Sequence, residues 1–132
     1  NKLVYEIKDE LDDYISSKNL TINSLKDEPL FKKMDNAHAT IMILNILKNA
    51  IIHNIENGVI EISIEKNQLI VANTGIPKSL DQDKIFNRFH KGNTSQSNTG
   101  LGLSIIKAIA NLYALQISYQ YRDAKHFFII KF

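Results

Sequence analysis

The chain has 132 residues, 44% of them hydrophobic and 23% charged, with a formal net charge of +2 and no cysteine. That length and balance give one compact domain with its own core and exclude intrinsic disorder; the missing cysteines exclude disulfides, thiol chemistry and Cys-based metal sites, and fit a reducing compartment. The small net charge and the lack of a basic run argue against nucleic acid as a partner, and no apolar run approaches the ~18–20 residues needed to cross a bilayer.

At its start the chain carries neither a methionine nor a basic-then-apolar leader, so a fragment of a longer protein is expected. Leu3, Ile7, Leu11, Tyr14 and Ile15 recur at helical spacing, and residues 3–19 are predicted as one amphipathic helix. LTINSL (20–25) alternates apolar with polar, which predicts a strand closed by a Lys26-Asp27-Glu28-Pro29 turn. Asp35 is the predicted N-cap of a long helix over residues 36–54. Residues 58–75 hold two alternating runs on either side of Lys66-Asn67, an antiparallel hairpin. A polar connection rich in Gly, Ser, Asn and Thr fills residues 76–100, with a short helical patch at DKIFNRF (83–89). Residues 101–114 predict a further helix, and LQISYQY (115–121) and HFFIIKF (126–132) two last strands. No internal repeat or linker interrupts this order. It implies an α+β fold, a two-layer sandwich with one mixed sheet and its helices on one face.

Within ILNILKNAIIHN (43–54), Asn45, Asn49 and His53 stand four apart and lie along one side of a helix. Taken alone, the asparagines also fit the solvent edge of an amphipathic helix. This helix, however, is apolar almost all round (Ile41, Met42, Ile43, Leu44, Ile46, Leu47, Ala50, Ile51, Ile52), so it is covered on most sides and the row faces a polar cavity. An amide oxygen is a hard, neutral ligand suited to Mg²⁺, an ion that takes few protein oxygens and completes its shell with phosphates and water. A Mg-nucleotide is a natural occupant.

Three further stretches converge on that idea, each with a plainer alternative. VANTGIP (71–77) ends a strand at Asn73, whose side chain can accept from an exocyclic amine, and turns at Gly75; it reads equally as a strand-ending turn. TGLGLS (99–104) sets Gly100 and Gly102 at a helix start, where backbone N–H groups can approach phosphates; it is also an ordinary glycine-containing helix entry. IFNRFHKG (85–92) joins Ile85, Phe86 and Phe89 to Arg88 and Lys91, either a flap over a polyphosphate or a satellite core with solvated charges.

In this order and spacing the four stretches resemble the N box, first glycine box, F box and second glycine box of the Bergerat (GHKL) ATP-binding fold. Specifically, they resemble the catalytic and ATP-binding domain of bacterial sensor histidine kinases, and the resemblance covers nearly the whole chain. It implies one domain over residues 1–132 with an ATP lid at about 76–100, and dimerisation and phosphoacceptor helices upstream of Asn1. ATP and Mg²⁺ are the implied cofactors. Asn49, with Asn45 beside it, would ligate Mg²⁺; Asn73 would meet the adenine amino group, and Gly75 would let the backbone close over the base. Arg88 and Lys91 would reach the phosphates from the lid, and the turn at Gly100, Leu101, Gly102 and Leu103 would bind them through main-chain N–H groups. His53 matches a position near the nucleotide.

The chain departs from that pattern at three places. Asn73 stands where the family has Asp, which keeps an acceptor and removes its charge. Pro77 replaces the second glycine of the first glycine box, and Ile52 replaces a lysine that contacts phosphate. In the ATP-hydrolysing relatives a glutamate occupies the position of Asn45 and activates water. Asn is no general base, so the resemblance favours transfer of the γ-phosphate to a histidine over hydrolysis. None of His38, His53, His90 and His126 sits in a phosphoacceptor context, and surface or turn roles are expected for His38 and His126. The implied partners are the parent's own phosphoacceptor domain, a response regulator and a second copy of the parent. The implied location is the cytoplasmic side of a parent anchored in the inner membrane. The alternatives are a degenerate nucleotide-sensing or interaction domain of the same fold and an autonomous ATPase.

Overall fold

In the computed structural model, residues 1–75 and 101–132 are described. The helices are α1 (Lys2–Glu10), α2 (Asp12–Ser17), α3 (Asn36–Ile52) and α4 (Leu101–Leu112). The strands are β1 (Thr21–Asp27), β2 (Val59–Glu65), β3 (Gln68–Thr74), β4 (Gln116–Arg122) and β5 (Lys125–Lys131). They form one sheet in the order β1-β2-β3-β5-β4. β1 and β2 run parallel across the α3 crossover; the other pairs are antiparallel. The fold is the expected α+β sandwich.

Strand parity puts the helices on one face. Ile60, Ile62 and Ile64 of β2 lie opposite Asn73, Val71 and Leu69 of β3, and those opposite His126, Phe128 and Ile130 of β5. All nine are buried, and they meet Val4 and Ile7 of α1, six apolar residues of α3, and Ile106, Ile109 and Ala110 of α4. Both hairpins turn on two residues with positive φ: Lys66 and Asn67 (51° and 59°), then Asp123 and Ala124 (51° and 60°). This is the backbone that continues the strands' right-handed twist.

Asp35 caps α3 as expected, its Oδ1 accepting from the N–H groups of Ala37 (2.8 Å) and His38 (3.4 Å). The helix predicted over 3–19 is instead two. It breaks at Leu11, whose dihedrals (φ −96°, ψ 7°) leave the α region, and Asp12 and Asp13 open a new first turn where carboxylates are favoured. Leu11 and Ile15 still reach the core, but Tyr14 points to solvent at 62% exposure. β1 also runs two residues beyond its predicted end. The register with β2 shifts between Ser24 and Lys26, so the extra residue at Leu25 is absorbed as a bulge and pairing continues through Asp27. α3 and α4 each stop two residues early, α4 because Ala114 takes φ 56°. The helical patch at 83–89 lies outside the described residues.

Candidate functional site

α3 carries the predicted row from one end of a polar strip to the other. Eight residues at 1.5 Å rise separate Asn45 from His53 by about 12 Å, room for an elongated ligand along the helix. At the first end Asn45 is half-buried, and its Nδ2 donates to the Ile41 carbonyl at 2.7 Å. That bond turns Oδ1 toward the start of α4, where a Cβ on Gly102 would lie 3.3 Å from it. Gly102 thus brings the N-terminus of α4, whose first N–H groups have no acceptor within the helix, against Asn45. Leu103, one residue on, anchors this turn in the core. Midway, Asn49 is only 5% exposed.

At the other end three elements converge. His53 is the C-cap of α3, its N–H donating to the Asn49 carbonyl at 3.1 Å and the next N–H, that of Asn54, to the Ile51 carbonyl at 3.2 Å. Burial lowers the His53 pKa below its ordinary value, and the nearby Lys18 and His126 lower it further, so the ring is held neutral. Lys18, at the end of α2, donates to the carbonyls of Ile51 (2.9 Å), Ile52 (2.7 Å) and Asn54 (3.2 Å) and so caps the helix with a cation. A second clasp joins α3 to the hairpin: Thr74 Oγ1 donates to Asn54 Oδ1 at 2.6 Å and accepts from the Val59 N–H at 2.9 Å.

β3 delivers Asn73 and Gly75 to this junction. Asn73 is 2% exposed, and its Nδ2 donates to the Thr74 carbonyl at 2.8 Å. That bond fixes the amide, yet Oδ1 is buried and accepts nothing among the described residues. An unmet buried acceptor costs ~1–3 kcal/mol and calls for an occupant. Gly75 lies directly beside it. A Cβ there would meet the His53 carbonyl at 2.9 Å and the Cδ2 of His126 at 3.2 Å, so only glycine lets the chain pass.

His126 corrects an expectation. It is 3% exposed, not at the surface or in a turn, and stands opposite Asn73 on β5. Its Nδ1 lies 2.7 Å from the Tyr119 hydroxyl, and Tyr121 packs on its ring at 4.8 Å. The signal was present in the strand pattern, since His126 shares parity with Phe128 and Ile130. His38 is half-buried in the first turn of α3, Nδ1 2.7 Å from the Tyr113 hydroxyl, which ties α3 to the end of α4. The structure therefore joins His53, Asn73 and Gly75 at one end and Asn45 and Gly102 at the other, with Asn49 between. Arg88, Lys91, Gly100 and the rest of the expected lid at 76–100 lie outside the described residues, as does the Leu101 side chain. Among the described residues no three His, Cys, Asp or Glu side chains cluster to hold a metal unaided, and no helix is long and apolar enough to cross a membrane.

The model of the histidine kinase-, DNA gyrase B- and HSP90-like ATPase family matches residues 34–131. The heme sensor protein HssS of Staphylococcus haemolyticus is 35% identical over 85 residues, 60% of this chain and 18% of that protein. The sensor histidine kinase WalK of Bacillus subtilis is 31% identical over 104 residues, 70% of this chain and 17% of that protein. The chain thus spans less than a fifth of the length of either relative. The catalytic domain of histidine kinase ThkA superposes with a TM-score of 0.82 at 28% identity, covering 98% of this chain and 89% of that one. A structure of ThkA in complex with the response regulator TrrA superposes at 0.78 and 25% identity, covering 98% of this chain and 39% of that one. By its matched residues and by the sheet, helices and glycine turns that they build, the chain belongs to the histidine kinase-, DNA gyrase B- and HSP90-like ATPases, on the side of the sensor histidine kinases.

Proposed function

We propose that this chain binds Mg-ATP and presents the γ-phosphate to a histidine on the dimerisation helix of a parent sensor kinase. The observation that carries the reading is the buried, unmet Oδ1 of Asn73 beside Gly75: an acceptor kept dry at the end of a strand, next to a position where any side chain would press on the His53 carbonyl. Asn73 takes the adenine amino group there. Gly75 and the C-terminal turn of α3, steadied by Lys18 and Asn54, form the wall beside the base, with His53 in its neutral form.

At the opposite end, Asn49 and Asn45 supply amide oxygens for Mg²⁺. The N–H groups at the start of α4, from Gly100 to Leu103, meet the phosphates, and Arg88 and Lys91 reach them from a lid over 76–100. When bound, Mg²⁺ supplies charge neutralisation at the transferred phosphoryl group. The amide at position 45 favours transfer over hydrolysis. Its Nδ2 is committed to the Ile41 carbonyl, and it has no basic electron pair with which to activate water. The acceptor histidine belongs to helices upstream of Asn1 in a homodimeric parent, and the domain works on the cytoplasmic side of a membrane-anchored protein. A response regulator receives the phosphoryl group, a reading supported by the ThkA complex.

Calorimetry of Mg-ATP binding to the wild-type chain and to Asn49→Ala tests the site. Loss of Mg-dependent affinity is expected; unchanged affinity removes Asn49 from it. Joined to its upstream helices, the domain is expected to move labelled phosphate from ATP to histidine. Steady phosphate release by the isolated chain would instead indicate a hydrolase.

A further inference from the structure

The helix α2 is short, follows the break at Leu11 and buries one side chain, that of Ile15. Past its end the chain turns into β1 through Lys18 and Asn19, and both residues of this turn grip the segment that leads from α3 to β2. The half-buried Lys18 ammonium holds the carbonyls of Ile51, Ile52 and Asn54, and the Lys18 carbonyl accepts from the Asn57 N–H at 2.9 Å. Asn19 Nδ2 donates to Asn57 Oδ1 at 2.6 Å. Both asparagines hold positive φ, 55° and 62°, a conformation that few residues other than Asn and Gly adopt readily.

This grip bears on the base end of the site. The carbonyls that Lys18 holds flank His53, whose own carbonyl would lie 2.9 Å from a Cβ on Gly75, with Asn73 Nδ2 at 3.5 Å from the same point. Lys18, the last turn of α3, Gly75 and Asn73 therefore form one run of contacts. α1 is fixed by other means: Val4 and Ile7 lie in the core, the Tyr5 hydroxyl lies 2.6 Å from Ser24 Oγ, and the Asn1 side chain bonds to Asp27, Glu28 and Leu30. A segment with few buried apolar groups and exposed hydrogen bonds opens at far less than the global free energy of unfolding, and α2 with its turn is such a segment.

We propose that the Lys18–Asn19 turn is a regulatory clasp on the nucleotide site. Closed, it holds the end of α3 in the form that binds the base. Released, with α2 swung out about the break at Leu11, it leaves the α3 carbonyls without their cation, and the wall beside Gly75 loosens. The inference rests on the nucleotide-binding reading and assigns a regulation to that site. Coupling between two such sites is reciprocal: a bound nucleotide favours the closed clasp, and displacement of α2 lowers nucleotide affinity by the same factor. Lys18 acts through the α3 carbonyls, so it is a positioning residue.

Two measurements on the 132-residue chain test this. The first is amide exchange by NMR in the wild type. The N–H groups of Asn57, bonded to the Lys18 carbonyl, and of Leu20, bonded to the Ile15 carbonyl at 3.1 Å, report the clasp. The Glu28 N–H, bonded to the Ile64 carbonyl at 2.8 Å beyond the far end of β1, is the control. Saturating Mg-ATP is expected to slow the first two about fivefold to fiftyfold, the range of ordinary couplings between sites, and the control less than about twofold. The second is calorimetry with Mg-ATP. Lys18→Met keeps the stem and removes the donors; it should weaken binding by a factor within about threefold of the slowing of exchange, as reciprocity requires. Lys18→Arg keeps a cation with several donors and should recover most of that loss. Equal slowing of all three amides, no slowing at Asn57 and Leu20, or a Lys18→Met chain that melts lower yet binds Mg-ATP as the wild type does reduces Lys18 to a helix cap and overturns the proposal. A wild-type chain that binds no Mg-ATP overturns the nucleotide reading and the clasp with it, a result distinct from ATP binding indifferent to Lys18.

Discussion

Asn73→Leu separates a ligand acceptor from a structural hydrogen bond, because the two roles predict opposite signs. In the folded chain the amide gains one bond, from Nδ2 to the Thr74 carbonyl at 2.8 Å, worth ~0.5–1.5 kcal/mol net. Against it stands the unmet Oδ1, a penalty of ~1–3 kcal/mol. Leucine removes both terms, and burying its side chain contributes ~1.5–3 kcal/mol. Reorganisation around the branched side chain returns ~1–2 kcal/mol of that. The balance is a gain of about 1–2 kcal/mol without nucleotide. For a domain of 132 residues this is a rise in Tm of about 3–8 °C. In the wild type, Mg-ATP at about a hundred times its Kd should add ~2.7 kcal/mol and raise Tm again. In Asn73→Leu that second rise should vanish. Differential scanning fluorimetry with and without Mg-ATP reads both shifts in one experiment. A variant that melts more than about 5 °C below the wild type and still gains from ATP would refute the reasoning, since Asn73 would then be holding the strand end rather than a ligand.

Gly75→Ala is expected to lower Tm by about 5 °C and to abolish the ATP-induced shift. Its Cβ would sit 2.9 Å from the His53 carbonyl, a backbone atom that can yield only by moving the end of α3. Because burial, Lys18 and His126 lower the His53 pKa, the unfolded chain takes up the proton more readily than the folded one. The stability contributed by neutral His53 is therefore complete above about pH 6.5 and lost as pH falls through the lowered folded value. Urea midpoints across that window should flatten in His53→Gln. Lys18→Met should raise the His53 pKa, read by proton NMR, and lower stability by ~2 kcal/mol through loss of three bonds to the end of α3. Ala124→Gly should raise Tm by about 2–4 °C, since Ala124 holds φ 60° in the β4–β5 turn, where the left-handed penalty of an L-residue exceeds the extra chain entropy of glycine.

Much of the fold was legible because its signals are local. Asp35 announced α3 through cap chemistry, Lys66-Asn67 announced the first hairpin, and the alternation in β2, β3 and β5 matched the face that each buries. What escaped depends on partners distant in the chain. The break at Leu11 is invisible to helical periodicity, because Leu11 and Ile15 remain on the core side through it. The extension of β1 to Asp27 depends on β2, which accommodates the bulge and keeps pairing with an edge strand whose side chains are mostly in water. Of the candidate site, Asn73, Gly75, Asn45 and Gly102 were placed by motif, and the structure brings them together pairwise. Lys18 and His126 were missed for one reason: nothing in α2 or β5 shows that the end of the one and the start of the other lie near His53, and only the folded sheet brings Asn73 and His126 into register.

The same contacts determine where positive charge sits. Ile52 stands where the resembling family has a phosphate-contacting lysine, and the ammonium of Lys18, seated at that turn, is spent on the carbonyls of Ile51, Ile52 and Asn54. Burial keeps His53 neutral, with Lys18 and His126 adding to it, while Asn45, Asn49 and Asn73 carry no charge. The described wall is thus polar without being cationic, an arrangement able to order a base and a metal by hydrogen bonds and amide oxygens. On the proposed reading, a polyphosphate at the α4 end must be neutralised by Mg²⁺ and by Arg88 and Lys91 together. The neutral acceptor at Asn73 follows the same logic. A carboxylate in that 2%-exposed position would need a cation or several donors to offset its desolvation, and Lys18 is already committed elsewhere. Asparagine keeps the acceptor without the charge, so the base end relies on shape and hydrogen-bond sense while the electrostatic work falls to the phosphate end.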